Sequence, residues 1–209
     1  MTRRLGCMVA VLVMGVTTLG ATTAVARSTA STVEFRPVLA DLPPESTTST
    51  TMGPADRVDV GVKIAICDVV AVEKLPVVPT TEWRTAKPEE CVVYPDLSAG
   101  RHSSRKYLGP AAVTTSDVKR ARAEFVAGQG WTVKLTLTRA GAKAWDTLAE
   151  QQFHKQVAIT ASGRVASAPL IQPNNQTFTS FGGVAVISGG FAQKEAQVLA
   201  HLAAPDNGR

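Results

Sequence analysis

The sequence predicts an α+β fold of two layers, a largely antiparallel sheet with helices on one face, and three observations predict it. The stretch "WTVKLTLT", 131 to 138, alternates apolar and polar residues, as a strand with one buried face does. Two apolar runs, "VAIT" and "VASAPLI", face each other across a short turn at Ser162 and Gly163. Two further segments, 139 to 152 and 192 to 204, repeat their apolar residues at helical spacing instead. With 44% apolar and 19% charged residues in 209, the chain can bury one core of moderate size.

Taken from the start, Arg3 and Arg4 precede an apolar run that ends in the small residues Ala24 and Ala26, the pattern of a signal peptide over 1 to 26. An uncleaved anchor is the competing reading, because Cys7 to Ala26 is 20 residues long, close to a membrane span. Cys7 lies before the apolar run, which argues against a lipid attachment there. No run of 18 apolar residues follows, so the expectation is an exported chain whose membrane contact is confined to its leader. Removing Arg3 and Arg4 lowers the formal charge from +5 to +3. The only dense basic patch, "VKRARAEF" at 118 to 125, lacks interleaved stacking aromatics and reads as a solvated helix face, with no nucleic-acid partner.

The segment 27 to 57 holds an extended stretch, "VEFRPVLA" at 33 to 40, and then a Pro/Ser/Thr-rich linker from residue 41. Residues 58 to 66 alternate well enough for a strand, and the rest of 58 to 105 is irregular, punctuated by Pro76, Pro79, Pro88 and Pro95. Cys67 and Cys91 would be the two cysteines of the exported chain, and in an oxidising compartment a disulfide between them is expected to stabilise by about 3 kcal/mol. Two unpaired buried thiols are the alternative. No metal is expected, since there is neither C-x-x-C spacing nor a neighbouring histidine pair.

From Tyr107 the elements sharpen. Thr115 or Ser116 reads as an N-cap, Asp117 as a first-turn acid and Gly128 as a stop, which predicts a helix with Val118, Ala121 and Phe125 on one face. In the strand that follows, Trp131, Val133, Leu135 and Leu137 point one way and Thr132, Lys134 and Thr136 the other. Thr138 can cap the next helix, which places Gly141, Trp145, Leu148 and Gln152 on one side, with Trp145 as anchor to the sheet. After the hairpin come a polar loop, "QPNNQTFTS" at 172 to 180, a strand "GVAVIS", and a closing helix with Ala192, Ala196, Leu199 and Ala203 as its stripe. The order over 107 to 204 is thus helix, strand, helix, strand, strand, strand, helix, with 205 to 209 as a tail.

Pro169 cannot donate a ladder hydrogen bond, so it belongs at a sheet edge or a bulge, and an exposed edge nearby could accept an extended peptide. Gly189 and Gly190 are expected to turn the chain sharply from strand into helix. Catalytic and cofactor motifs are not found. Gly128 and Gly130 have G-x-G spacing but precede a strand, whereas a phosphate cradle needs a helix there, and there is no G-K-[ST], G-x-S-x-G or H-E-x-x-H. His102, His154 and His201 lie apart with no matching nucleophile or acid, and the adjacent Glu89 and Glu90 of a loop face apart. Asn175 begins an N-x-[ST] sequon, which matters only in a eukaryotic secretory pathway. No catalytic residue, cofactor or small-molecule substrate is assigned.

The set "YLGPAAVTTSDVKRARAEF", "GWTVKLTLTRAGAKAWDTLAE", "VAITASGRVASAPLI" and "GGVAVISGGFAQKEAQVLAHL", in that order, closely resembles the head subdomain of the first large extracytoplasmic domain of SecD, the membrane subunit that assists the bacterial Sec translocon. The resemblance covers Tyr107 to Ala203 well and implies a head-like domain over 106 to 204. It rests on Gly109 and Pro110, Trp131, Trp145, Ser167 and Pro169, and Gly189, Gly190 and Phe191 as structural motif residues. It implies that the Ser-Ala-Pro segment closes the hairpin at the rim of the head, which accounts for Pro169. It also implies a non-catalytic role in export, contacting exported polypeptides or Sec components through the polar loop, with Gln172, Asn174, Asn175, Gln176 and Phe178 as contact residues. Two departures qualify it. The chain after its leader has no membrane span and little of the base subdomain, so a proton-driven cycle is not expected. Ala192 also stands where the family usually has a capping threonine, a loss of about 1 kcal/mol. An envelope or secreted domain that reuses the scaffold for an unrelated partner is the alternative.

Overall fold

A computed structural model describes residues 32–44, 67, 69, 80–97 and 104–204. The leader, residues 45–57 of the linker, the strand expected over 58 to 66, His102 and the tail lie outside the described residues.

The first strand, β1 (Val33–Leu42), is the hub of the larger sheet. Its first half pairs antiparallel with β7 (Val157–Ala161) and with the two-residue β4 (Val113–Thr114), and its second half pairs with β3 (Arg105–Leu108). Pro37 sits where β1 changes partner from β4 to β3, a place where a missing N–H is tolerated. β2 (Val92–Pro95) pairs with β3, and β8 (Arg164–Ser167) pairs with β7, giving the order β2-β3-β1-β7-β8. The sheet curls until its ends meet: Asp96 bridges Val165, and the Leu97 N–H donates to the Val165 carbonyl at 3.2 Å. Residues 92–95, which the proline punctuation made to look irregular, and residues 105–108, at the end of that region and beyond it, are therefore strands of this sheet.

A second, three-stranded antiparallel sheet has the order β5-β6-β9, from β5 (Val118–Val126), β6 (Gly130–Leu137) and β9 (Val184–Phe191). β5 corrects the sequence reading, which made 115 to 128 a helix. The turn signal closes only one 3-10 turn, Thr115–Asp117, and its N-cap is Thr114, not Thr115 or Ser116; an Asp117 carboxylate oxygen accepts the Thr114 N–H at 2.9 Å. Val118 then leaves in the extended region, with φ −92° and ψ 119°. From there Ala121, Ala123 and Phe125 alternate with Arg122 and Glu124, a period of two, and register with β6 decides the outcome over local propensity. Gly128 stops no helix; it lies in the turn between β5 and β6.

Helix α1 (Arg139–Gln151) is capped as expected, the Thr138 hydroxyl accepting the Gly141 N–H at 3.0 Å. It buries Gly141, Trp145, Leu148 and Ala149, while Gln152 forms its C-cap. Helix α2 (Gln193–Ala203) buries Ala196, Leu199, Ala200 and Ala203; Ala192 is exposed and stands at the N-cap, outside the stripe the sequence assigned to it. Both helices and the inner faces of both sheets enclose one main core that includes Phe35, Leu135, Trp145, Ile159, Ile187 and Leu199. The α+β class is what the chain forms, with largely antiparallel sheet and, among the residues described from 80 onward, two helices.

Gly189 and Gly190 do not turn the chain from strand into helix. Both lie within β9, where Phe191 pairs with Trp131 and Ile187 with Val133, so that β9 carries extra residues against β6. Gly190 takes φ +67° in this bulge, a region that glycine enters without the penalty of a Cβ. The turn into α2 comes one residue later, after Phe191.

Candidate functional site

The polar loop 172 to 180 is exposed but braced from within. The Gln172 side chain does most of this: its amide oxygen accepts the Thr179 N–H at 2.9 Å and an Asn175 amide hydrogen at 3.1 Å, and its amide nitrogen donates to the Thr179 carbonyl. His154 in turn hydrogen-bonds the Asn175 carbonyl through Nε2 at 2.8 Å. At its far end the loop is fastened to α1, where Asp146 accepts the Ser180 hydroxyl at 2.5 Å and the Phe181 N–H at 2.9 Å. Of the residues the sequence singled out, Gln172 and Asn175 hold the loop's shape. Asn174 and Gln176 are exposed.

Phe178 is half-buried under the loop and does not stand free. It sits in a chain of aromatic contacts that runs outward from the core: Phe35 against Trp145 at 5.0 Å, Trp145 against Phe181 at 5.2 Å, Phe181 against Phe178 at 6.2 Å, Phe178 against Phe153 at 6.3 Å. Phe153 then stacks on His154 at 3.9 Å. The loop backbone is thereby linked to the centre of the molecule through rings that prefer edge-on contacts of this range. Trp145 does anchor α1, against Phe35 of β1.

The hairpin explains Pro169. β8 ends at Ser167, and Pro169 lies two residues beyond it, where its carbonyl accepts the Val157 N–H at 3.1 Å and no hydrogen is needed from its own nitrogen. The register between β7 and β8 also shifts at Ile159 and Thr160. The edge beside it is not open to a peptide, because Asp96 and Leu97 occupy it at Val165, and the Ser167 hydroxyl donates to the Ser188 carbonyl of β9 at 2.7 Å.

Two buried charged groups were not singled out from the sequence. Arg36 is fully buried; its Nε donates to a Glu34 carboxylate oxygen at 2.8 Å, Nη1 to the carbonyls of Glu90 and Gly109 at 2.7 and 2.9 Å, and Nη2 to the Lys87 carbonyl at 3.2 Å. A strand period of two puts Glu34 and Arg36 on one face, and that spacing was the available signal. Gly109 is held close: a Cβ there would meet Pro37 Cγ at 2.8 Å, and its N–H donates to the Pro37 carbonyl at 3.0 Å. Pro110 follows at the surface. Nearby, the buried Lys106 ammonium donates to Asp41 at 2.5 Å and to the Gln156 side-chain oxygen at 3.1 Å, and lies 3.5 Å from Asp96. Burial pushes the pKa of Tyr94 up to about 12, helped by the negative charges of Glu34 and Glu90 and opposed by Arg36. These groups are committed to one another and to backbone carbonyls.

Cys67 and Cys91 form a disulfide, with Cα atoms 5.7 Å apart. Among the described residues no group of three metal-ligating side chains occurs, and no helix is long and apolar enough to cross a membrane. A shallow, mainly apolar groove along α1 is lined by Ala112, Ala140, Ala144 and Leu148, with Lys143, Thr147 and Gln151 also on its wall. The groups the loop exposes include amide side chains and backbone.

Comparison with known proteins matches residues 93–204 to the SecDF P1 head subdomain. The protein translocase subunit SecDF of Thermus thermophilus is 40% identical over 93 residues, covering 44% of this chain and 12% of that protein. The protein translocase subunit SecD of Streptomyces coelicolor is 36% identical over 124 residues, covering 56% of this chain and 21% of its own length. The chain thus spans about a fifth or less of these relatives. Among solved structures, one of the membrane component SecDF that enhances protein export has a TM-score of 0.47 and 24% identity, covering 83% of this chain and 61% of that one. SecDF in a super-membrane-facing form gives 0.46 and 26%, covering 83% and 18%.

Proposed function

From the premise that the chain belongs to the SecDF P1 head subdomain family, we propose that it is a non-catalytic, extracytoplasmic module that contacts extended polypeptide during export. The observation that carries this reading is the loop 172 to 180: exposed, yet held in one shape by Gln172, His154 and Asp146. A loop ordered before binding loses little conformational entropy on contact, and its free amide side chains at Asn174 and Gln176 can bond to a peptide backbone of any sequence. The apolar groove along α1 and the buried ion pairs offer no comparable surface. The SecD and SecDF relatives are translocase subunits by name, which supports export as the setting.

The test is photocrosslinking with the purified full chain, a photoreactive residue standing at Asn174 or Gln176. Mixed with one exported protein in unfolded and folded forms, it should capture the unfolded form. Equal capture of both forms, or of one folded partner alone, would favour a dedicated interaction domain instead.

A further inference from the structure

We propose that the outer edge of β5 accepts an extended polypeptide strand by pairing, and that it selects segments in which acidic and apolar residues alternate. This deepens the polypeptide-contact reading and rests on it. β5 is an end strand of its sheet, and the nine residues Val118–Val126 make it long for an edge. Among the described residues, the backbone of Lys119 to Phe125 has no hydrogen bond to any segment beyond β6. Proteins usually protect such an edge by covering it or shortening it. β8, by contrast, is closed by Asp96 and Leu97.

The two faces beside this edge differ in chemistry. On one, Ala121 is buried and Ala123 partly buried in the main core, where α2 packs against β5, and Phe125 is 65% exposed, its ring 5.8 Å from that of Trp131. Trp131 in turn stands opposite Phe191, so three aromatic residues cross the three strands in register. On the other face are the exposed Arg120 and Arg122 and the half-buried Glu124, with Arg122 directly opposite the exposed Lys134, so three cations there face one carboxylate. Like charges placed opposite each other on a sheet are unfavourable, and no carboxylate forms an ion pair with Arg120, Arg122 or Lys134 among the described residues. A strand added to this edge would set every second side chain on the side of Phe125 and the others beside the arginines, where carboxylates relieve the repulsion. In a second copy paired antiparallel about Arg122, Arg120 would face Glu124 but Arg122 would face Arg122, a like-charge contact that an acidic strand does not make.

Amide hydrogen exchange of the full chain tests this, with a short synthetic peptide alternating glutamate and valine as probe. The peptide should slow exchange of β5 amides between Lys119 and Phe125 more than anywhere else. Arg122→Glu, which lies on the surface and gives Lys134 an opposite partner, should weaken the peptide about tenfold and favour a lysine–valine peptide instead. Protection confined to the loop 172 to 180 would overturn the edge assignment and leave the polypeptide-contact reading standing. Equal binding of both peptides to the unmodified chain, or no protection by either, would also overturn it. Failure of loop probes to crosslink any unfolded chain would remove the underlying reading as well.

Discussion

The two sheets use charge in opposite ways. The sheet built on β1 buries Glu34, Arg36, Asp96, Arg105 and Lys106, with Arg36 and Lys106 bonded to carboxylates and carbonyls of other segments. The sheet β5-β6-β9 holds Arg120, Arg122 and Lys134 at the surface without ion-pair partners among the described residues. A buried charge is costly unless paired, so the first set can persist only as fasteners between segments. The second set costs little in solvent and leaves its charges available. One half of the molecule is therefore an assembly held by internal polar contacts, and the other presents a surface.

Breaking the first half should have the largest effect. Arg36→Ala leaves the Glu34 carboxylate buried without its partner and three backbone carbonyls without their donor, and should destabilise the chain by about 3–5 kcal/mol in denaturant titration. The same change at Arg122 should be nearly silent in that assay. Reducing the Cys67–Cys91 bond, whose partners are 24 residues apart, should cost about 3 kcal/mol. Ala192→Thr should add about 1 kcal/mol, because at the start of α2 only the Glu195 carboxylate reaches back, to the Ala192 N–H at 2.8 Å, and no side chain caps the helix amides from the N-cap. Tyr94→Phe should change least at neutral pH. Tyr94 is raised in the folded chain, so it favours the fold below the ordinary tyrosine range, near pH 10, and that stability is lost as pH climbs to about 12. Stability, followed by denaturation across that window, should fall more for the parent than for the phenylalanine variant.

The sequence was most legible where periodicity and capping agreed. Alternation from Val133 to Leu137, the Thr138 cap and most of the apolar stripes of both helices were readable because each element buries one regular face against the core, whereas Thr132, expected on the open face, is fully buried. β5 was misread because Thr115–Asp117 supplies a genuine turn signal, while the alanines and arginines that follow suit a helix locally; pairing with β6 is what makes them a strand. β2 and β3 were hidden by prolines and by a short length that shows no period. The partners of Arg36 come from positions 34, 87, 90 and 109, a convergence that only the folded chain brings about. In the loop, exposure of Asn174 and Gln176 followed from composition, but the bracing roles of Gln172, Asn175 and Asp146 did not.

The most direct test compares the loop 172 to 180 with the β1 sheet in the cell. Photoreactive residues would be placed at Gln176, on the surface assigned to polypeptide contact, and at Glu89, which is equally exposed but lies beside the buried Arg36 network. The account predicts many adducts to unrelated exported chains from Gln176 and few from Glu89. Equal yields from both positions, or one dominant folded partner at Gln176, would contradict it.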